Sequence, residues 1–193
     1  MIEIREERPA DVEAIRGVNR QAFDQEQEGR IVDALRERGA VLLSLVAVVN
    51  DEVIGHILFS PAVVGPMHGA ALGPMAVVPA HQRHGVGSQL VARGLERLQA
   101  HRCPFVVVIG HPGFYPRFGF EAAAAFGLTC DWDVPAGVFM VKVLSPAAKG
   151  RVHGHVAYRA EFATVEQSTG RRTQRWSRRP WPARAGRRVP ARR

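Results

Sequence analysis

The sequence predicts an α/β (α+β) fold, one domain followed by a basic tail, and three observations carry that expectation. Short β-branched runs alternate with stretches whose apolar residues recur at helical spacing. The 193 residues, 46% of them hydrophobic, suffice for one well-cored domain and leave too little for a second sizeable one. The pattern stops after Val165, where Gln, Ser, Thr and Gly lead into Arg, Trp, Pro and Ala with no period. The expected organisation is therefore a domain over residues 1–165, with its core in residues 2–144, and a disordered tail over residues 166–193.

Residues 2–5 alternate as a short strand. Pro9, followed by Asp11 and Glu13, opens a helix, since Pro is tolerated in the first turn and acids favour the positive end of the dipole. Val12, Ile15, Val18 and Ala22 form its apolar stripe. A second helix spans about residues 26–38, with Ile31 and Leu35 inward, Arg36 and Arg38 in the last turn and Gly39 as the stop. Residues 42–49 and 53–59 are strands joined at Asn50-Asp51-Glu52. Residues 65–69 read as a loop and residues 71–78 as a further strand. Pro74 cannot donate to a ladder, so that strand needs a bulge or an unpaired edge. In the helix that follows, Val86, Leu90, Leu95 and Leu98 line one face and Gln89, Arg93, Glu96 and Arg97 the other. Residues 105–109 are a buried strand, 112–117 a short helix or turn, 138–144 a last main strand and 152–158 a small edge strand.

Charge is divided unevenly. The chain carries +8, with a sequence pI near 10.8, which taken alone points to nucleic acid or an anionic membrane. Residues 166–193 hold ten arginines and one acid, whereas residues 1–165 hold 16 basic and 17 acidic residues. The excess belongs to the tail, where Trp176 and Trp181 stand among the arginines. An accidental, non-essential extension is the favoured reading of this tail, and nucleic-acid binding through its arginines and tryptophans is the competing one. Cys103 and Cys130 make no metal spacing and no disulfide framework, and the N-terminus opens on charged residues. The longest apolar run, residues 41–49, is half of the roughly 18 residues a membrane span needs. These features lead us to expect a cytoplasmic protein with no membrane partner.

The most informative stretch runs from Met75 to Ser88. It joins a strand to an amphipathic helix, and a helix N-terminus leaves several backbone N–H groups unpaired. Gly85 and Gly87 let a bulky anion approach them without a Cβ in the way. Ser88 adds a hydroxyl, and Arg83 and His84 add charge. A nucleoside triphosphate loop would need Gly-Lys-Ser/Thr, but no lysine follows Gly87. A dinucleotide fingerprint would need a third glycine where Leu90 stands.

What remains, Gln82-Arg83-His84-Gly85-Val86-Gly87 between a strand and a long helix, resembles the pyrophosphate loop of the GNAT superfamily of acyl-CoA-dependent N-acetyltransferases. The element order over residues 2–144 resembles that family too, and the run from Gly110 to Phe120, Gly-His-Pro-Gly-Phe-Tyr-Pro-Arg-Phe-Gly-Phe, is similar to its YhbS-like branch. The resemblance implies a GNAT-like fold, a mixed, mostly antiparallel sheet flanked by helices. The sheet would splay between the strand ending at Val78 and the one ending at Ile109. The implied reaction is transfer of an acetyl group from acetyl-CoA to a primary amine, without a metal. Backbone groups of Met75, Ala76 and Val77 would pair with the pantetheine arm, and Gln82, Arg83, His84, Gly85, Val86, Gly87 and Ser88 would hold the pyrophosphate. Tyr115 would protonate the departing thiolate.

The base is open. No glutamate lies in residues 72–78, which leaves His111, His56 or a water chain to take the amine proton. Val108 replaces an asparagine that the family carries seven residues before the tyrosine. Plainer readings stand beside these: Tyr115 as packing in an aromatic turn, His111 as a turn cap, His56 as a hydrogen-bonded sheet histidine. His153 and His155 share a strand face without an evident third ligand. Asp24, Glu26 and Glu28 either line an acceptor mouth or form a solvated helix start. The acceptor, a small molecule or a peptide amine, and the oligomeric state are not specified. A non-catalytic acyl-CoA-binding module is the alternative function.

Overall fold

The computed structural model describes residues 1–163. β1 (Glu3–Glu6) leads to α1 (Val12–Phe23) through a 3-10 turn at Pro9–Asp11. Pro9 thus opens a 3-10 turn and the α-helix begins three residues later. Asp11 accounts for the pause, because its carboxylate accepts the Arg8 N–H at 2.7 Å and pairs with both nitrogens of Arg5 at 2.6 and 2.9 Å. α1 buries Ile15, Val18 and Asn19. α2 (Gln27–Glu37) buries Gly29, Ile31, Val32 and Leu35 and stops before Gly39, whose φ of +61° suits a glycine.

β2 (Leu43–Val49) and β3 (Glu52–Val64) form a hairpin whose turn residues Asn50 and Asp51 have φ of 49° and 64°, values that match strand twist. β4 (Met67–Val77) returns beside β3. α3 (Val86–Ala100), β5 (Phe105–Ile109), the two-residue strands β6 (Glu121–Ala122) and β7 (Leu128–Thr129), β8 (Phe139–Val143) and β9 (Gly154–Ala157) complete the described chain. The expected loop over residues 65–69 is a tight turn at Gly65-Pro66, since Val63 and Val64 pair with His68 and Met67. Val63 and Val64 also pair with Ala157 and Val156 of β9, a long-range contact that holds β3 extended and that local pattern cannot display.

The sheet order is β1-β2-β3-β4-β5-β8-β6, with β9 pairing both β3 and β7. Neighbours are antiparallel except β4–β5 and β7–β9, so the sheet is mixed and mostly antiparallel. Side chains alternate across it. On one face Gly55 lies under Val86 and Leu90, and a Cβ at Gly94 would sit 2.4 Å from the Phe59 ring, so α3 packs directly on β3. His56 points the other way, toward Asn19 of α1. One core fills the space between sheet and helices, and a second gathers Phe105, Val107, Leu128, Phe139, Val141 and Val156 at the far end. No helix among the described residues is long and apolar enough to cross a membrane. The expected tail, and the boundary at residue 165, lie outside the described residues.

Candidate active site

Pro74 opens the site. β4 runs parallel to β5 only through Ala70–Val106, Ala71–Val107 and Leu72–Val108. Opposite β3, Phe59 faces Leu72 while Ile57 faces Met75, so Gly73 and Pro74 together stand against Leu58 as a bulge. Proline has no N–H to carry the ladder further, and a bulge re-aims its strand. Past it, Met75, Ala76 and Val77 stay paired to Ile57, His56 and Gly55. No strand among the described residues pairs with their other edge. The strands therefore part where the resemblance places the splay, leaving backbone N–H and C=O groups of β4 available to an extended ligand.

The loop after β4 delivers a second set of donors. A 3-10 turn at Pro79–His81 leads to Gln82, whose Nε2 donates to the Val77 carbonyl at 2.9 Å. That bond folds the loop back on its strand, so the Gln82 side chain shapes the cradle. Arg83 and Gly85 both have positive φ, 65° and 82°, against −66° at Gln82. Alternation of this kind turns successive amides toward one side. The first helical bond of α3 is Gln89 N–H to Gly85 O at 3.0 Å, so the amides of Val86, Gly87 and Ser88 have no acceptor within the helix. No side chain caps Gly85. A Cβ built on Gly85 meets nothing within 4 Å, which leaves room for an anion. Buried Val86 anchors the helix start, and Arg83, His84 and Gly85 are exposed.

The aromatic turn comes up against this cradle. Gly110 N–H donates to Val138 O at 2.9 Å, and a 3-10 turn spans Tyr115–Phe118. The Tyr115 ring lies on Gly110, where a Cβ would come within 2.3 Å of it. Phe114 meets that ring edge-on at 5.0 Å between centroids, and Phe120 at 5.7 Å. A Cβ at Gly87 would be 3.7 Å from Phe114 and 3.6 Å from Met75, so β4, the α3 terminus and the turn converge. Burial pushes the Tyr115 phenol well above its ordinary pKa, which keeps it a proton donor at every physiological pH. Arg117 donates to Gly113 O at 3.1 Å and stacks 4.9 Å over Phe114. Lys142 of β8 donates to Phe118 O at 2.7 Å.

His111 is exposed, and its Nδ1 accepts the Gly113 N–H at 3.2 Å. The proton of the neutral ring then sits on Nε2. Proton uptake by this ring requires the Gly113 bond to open.

His56 is fully buried one strand from Ala76, in a polar chain. Asn19 Nδ2 lies 3.4 Å from Nδ1 and Ser44 Oγ 3.0 Å from Nε2. Ser44 donates to Glu7, which Arg36 holds at 2.8 and 2.9 Å. An amide nitrogen can only donate, so Nδ1 accepts, Nε2–H donates to Ser44 and the hydroxyl proton goes to Glu7. Burial drops the His56 pKa to about 3, so the 3.8 Å approach to Glu7 is a contact of a neutral ring. Burial pushes the Glu7 carboxyl up, but hydrogen bonds from Arg36 and Ser44 outweigh it and hold it below the ordinary value. His56 is thus the hydrogen-bonded sheet histidine of the plainer reading.

His155 contacts Asp131 at 3.1 Å and Thr129 at 3.3 Å, and no three His, Cys, Asp or Glu side chains among the described residues form a metal-holding group. Sequence reasoning missed the Phe114 contact with Gly87 and the Lys142 tether. The glycines at 87 and 110 were the available signal, but what a glycine makes room for is a tertiary fact.

Known proteins share this fold. The Acetyltransferase (GNAT) family model matches residues 6–120. The uncharacterised N-acetyltransferase YhbS of Escherichia coli K12 is 36% identical over 162 residues, covering 82% of this chain and 97% of that protein. YjhQ of the same organism, also an uncharacterised N-acetyltransferase, is 39% identical over 121 residues, 60% of this chain and 67% of its own. The crystal structure of YhbS from Escherichia coli in complex with CoA superposes with a TM-score of 0.81, at 36% identity, over 84% of this chain and 92% of that one. A GNAT acetyltransferase from Brucella melitensis in complex with acetyl-CoA gives 0.71 at 37% identity, over 84% and 98%. By the family match over residues 6–120 and the 36% identity to a relative covered almost end to end, the chain belongs to the GNAT family of N-acetyltransferases.

Proposed function

We propose that the chain transfers the acetyl group of acetyl-CoA directly to a primary amine of a small molecule or peptide. The observation that carries this is the continuity of the unpaired Met75–Ala76–Val77 edge with the uncapped amides of α3, one strand and one helix end serving a single elongated ligand. The pantetheine arm adds as a strand along Met75, Ala76 and Val77, and the pyrophosphate sits on the amides between Arg83 and Ser88, where dipole and donors both favour an anion. Gln82 and Val86 hold the cradle in shape.

Acyl transfer needs a polarised carbonyl, a neutral amine and an acid at the sulfur. An outward N–H of the β4 edge polarises the thioester. Tyr115 gives its proton to the leaving thiolate. Burial raises the phenol, and the same dry surroundings destabilise a thiolate, so donor and leaving group are matched. His111 is the candidate base, provided its Nδ1 exchanges the Gly113 amide for the incoming proton. Residues 1–165 are taken as the catalytic domain and the cytoplasm as its compartment, in keeping with Cys103 and Cys130 as free thiols.

Calorimetric titration of acetyl-CoA into the full-length chain should show binding, and amines should then release thiol. Absence of binding overturns the reading. Binding without thiol release from any amine leaves a non-catalytic acyl-CoA module. Tyr115→Phe should lower kcat about a hundredfold with the acetyl-CoA Kd held. For the base, His111→Asn keeps an acceptor for Gly113, so a fall in kcat there reports proton transfer and unchanged kcat reports a turn cap.

A further inference from the structure

The amides at the start of α3 suit a pyrophosphate. Val86, Gly87 and Ser88 have no acceptor within the helix, and the positive φ of Arg83 and Gly85 turns the loop amides before them to one side. CoA carries a further phosphate, a monoester on the 3′ carbon of its ribose, which the sugar sets apart from the pyrophosphate. At neutral pH that monoester holds a charge of about −2. Its recognition calls for donors beside the cradle rather than within it.

Arg117 stands there. Phe114 joins it to the cradle, since a Cβ at Gly87 would lie 3.7 Å from the edge of the Phe114 ring and the Arg117 guanidinium lies 4.9 Å over the centre of the same ring. That stack, with the hydrogen bond from Nη2 to Gly113 O at 3.1 Å, holds the guanidinium in one place although the residue is exposed. No carboxylate among the described residues pairs with Arg117. Other cations near the cradle are spent: on α3, Arg93 pairs with Glu96 and Arg97 with Glu6, each at 2.6 Å, and Lys142 of β8 gives its Nζ to Phe118 O. A guanidinium carries several N–H donors in a rigid fork that matches a phosphate, and Gly113 O takes only one of them. An arginine that is fixed, solvent-facing, without a carboxylate and one phenyl ring from a phosphate cradle has its remaining donors and its whole charge to offer.

We propose that Arg117 binds the 3′-phosphate of CoA and so makes the chain prefer CoA to dephospho-CoA, which lacks that group. Phe114 is the positioning residue, because its ring touches the guanidinium on one side and the space at Gly87 on the other. The pair forms in water, so it sets a preference between cofactors and leaves most of the affinity to the backbone groups of β4 and α3. The inference rests on the acetyl-CoA reading above.

The test is calorimetric titration of CoA and of dephospho-CoA into the full-length chain, for wild type and Arg117→Gln. Wild type should bind CoA about fivefold more tightly than dephospho-CoA, and Arg117→Gln should bind the two within about twofold of each other. The dephospho-CoA Kd should be the same in both proteins, which also shows that the variant keeps its fold. Equal affinity of wild type for the two ligands overturns the proposal. So does a loss in Arg117→Gln that is equal for both, because that marks a role in holding the turn through Gly113. A preference that survives Arg117→Gln and vanishes in Arg83→Gln overturns it as well and moves the 3′-phosphate to the cradle itself. Failure of the underlying reading looks different: wild type then binds neither ligand.

Discussion

His56 shows how much of a residue's meaning is set by what covers it. Burial holds its pKa at about 3 in the fold, against 6.5 for an ordinary histidine. Between those values the unfolded chain binds more protons than the folded one, so stability rises with pH through the window and is lost as pH falls below 6.5. The groups facing the ring are Asn19, Ser44, Glu7 and Arg36. The loss reaches about 2 kcal/mol by pH 5, or roughly 4–8 °C of melting temperature for a domain of this size. His56→Gln keeps a polar group without the titration, so its melting temperature should fall less between pH 7 and 5 than that of wild type. Parallel slopes for the two proteins would show that His56 does not set the acid limit. Gly85, Gly87 and Tyr115 could be put forward as candidates from the sequence because their spacing is local. The hydrogen bond of Gln82 back to Val77 depends on where neighbours end up, and no spacing rule reports that.

At the scale of elements, proline and glycine were the reliable punctuation. Pro74 announced the bulge because a missing N–H is a fact about one residue, whereas β3 was read too short because its last residues are held by β9, about a hundred positions away. The tyrosine turn depends on a comparable distant contact. Lys142 reaches from β8 to the Phe118 carbonyl at 2.7 Å, the C-terminal end of the Tyr115–Phe118 turn, where a cation is favoured. Its Nζ would lie 2.7 Å from a Cβ at Gly119, so the tether fits closely around a residue whose φ is +81°. Lys142→Met removes the charge and keeps the stem. It should lower kcat about tenfold by letting Tyr115 shift, with the acetyl-CoA Kd, which the proposed function assigns to β4 and α3, within about twofold. A loss confined to acetyl-CoA affinity would place the tether's role elsewhere.

For the whole molecule, the sheet is what joins the two halves of the site: parallel pairing of β4 with β5 sets the tyrosine turn beside the α3 terminus, and its early end at Leu72 keeps the space between them open. Periodicity gave the elements but could not order them, and the splay was legible only through the resemblance carried by two motifs. Net charge misleads at this scale, because the +8 of the chain divides into a near-neutral residues 1–165 and an arginine-rich residues 166–193. The proposed recognition of the pyrophosphate by backbone amides would depend on fixed donors and a helix dipole at contact distance, which salt screens weakly when the ligand is partly enclosed. Recognition by the tail's arginines would be released by salt, with log K falling steeply for each phosphate neutralised. The acetyl-CoA Kd should therefore change less than about threefold between low and moderate salt, and by a similarly small factor when residues 166–193 are removed. DNA retention of the full chain, by contrast, should vanish with both treatments. An acetyl-CoA Kd that weakens more than about tenfold with salt, and only when the tail is present, would move phosphate recognition from the amide cradle to the arginines.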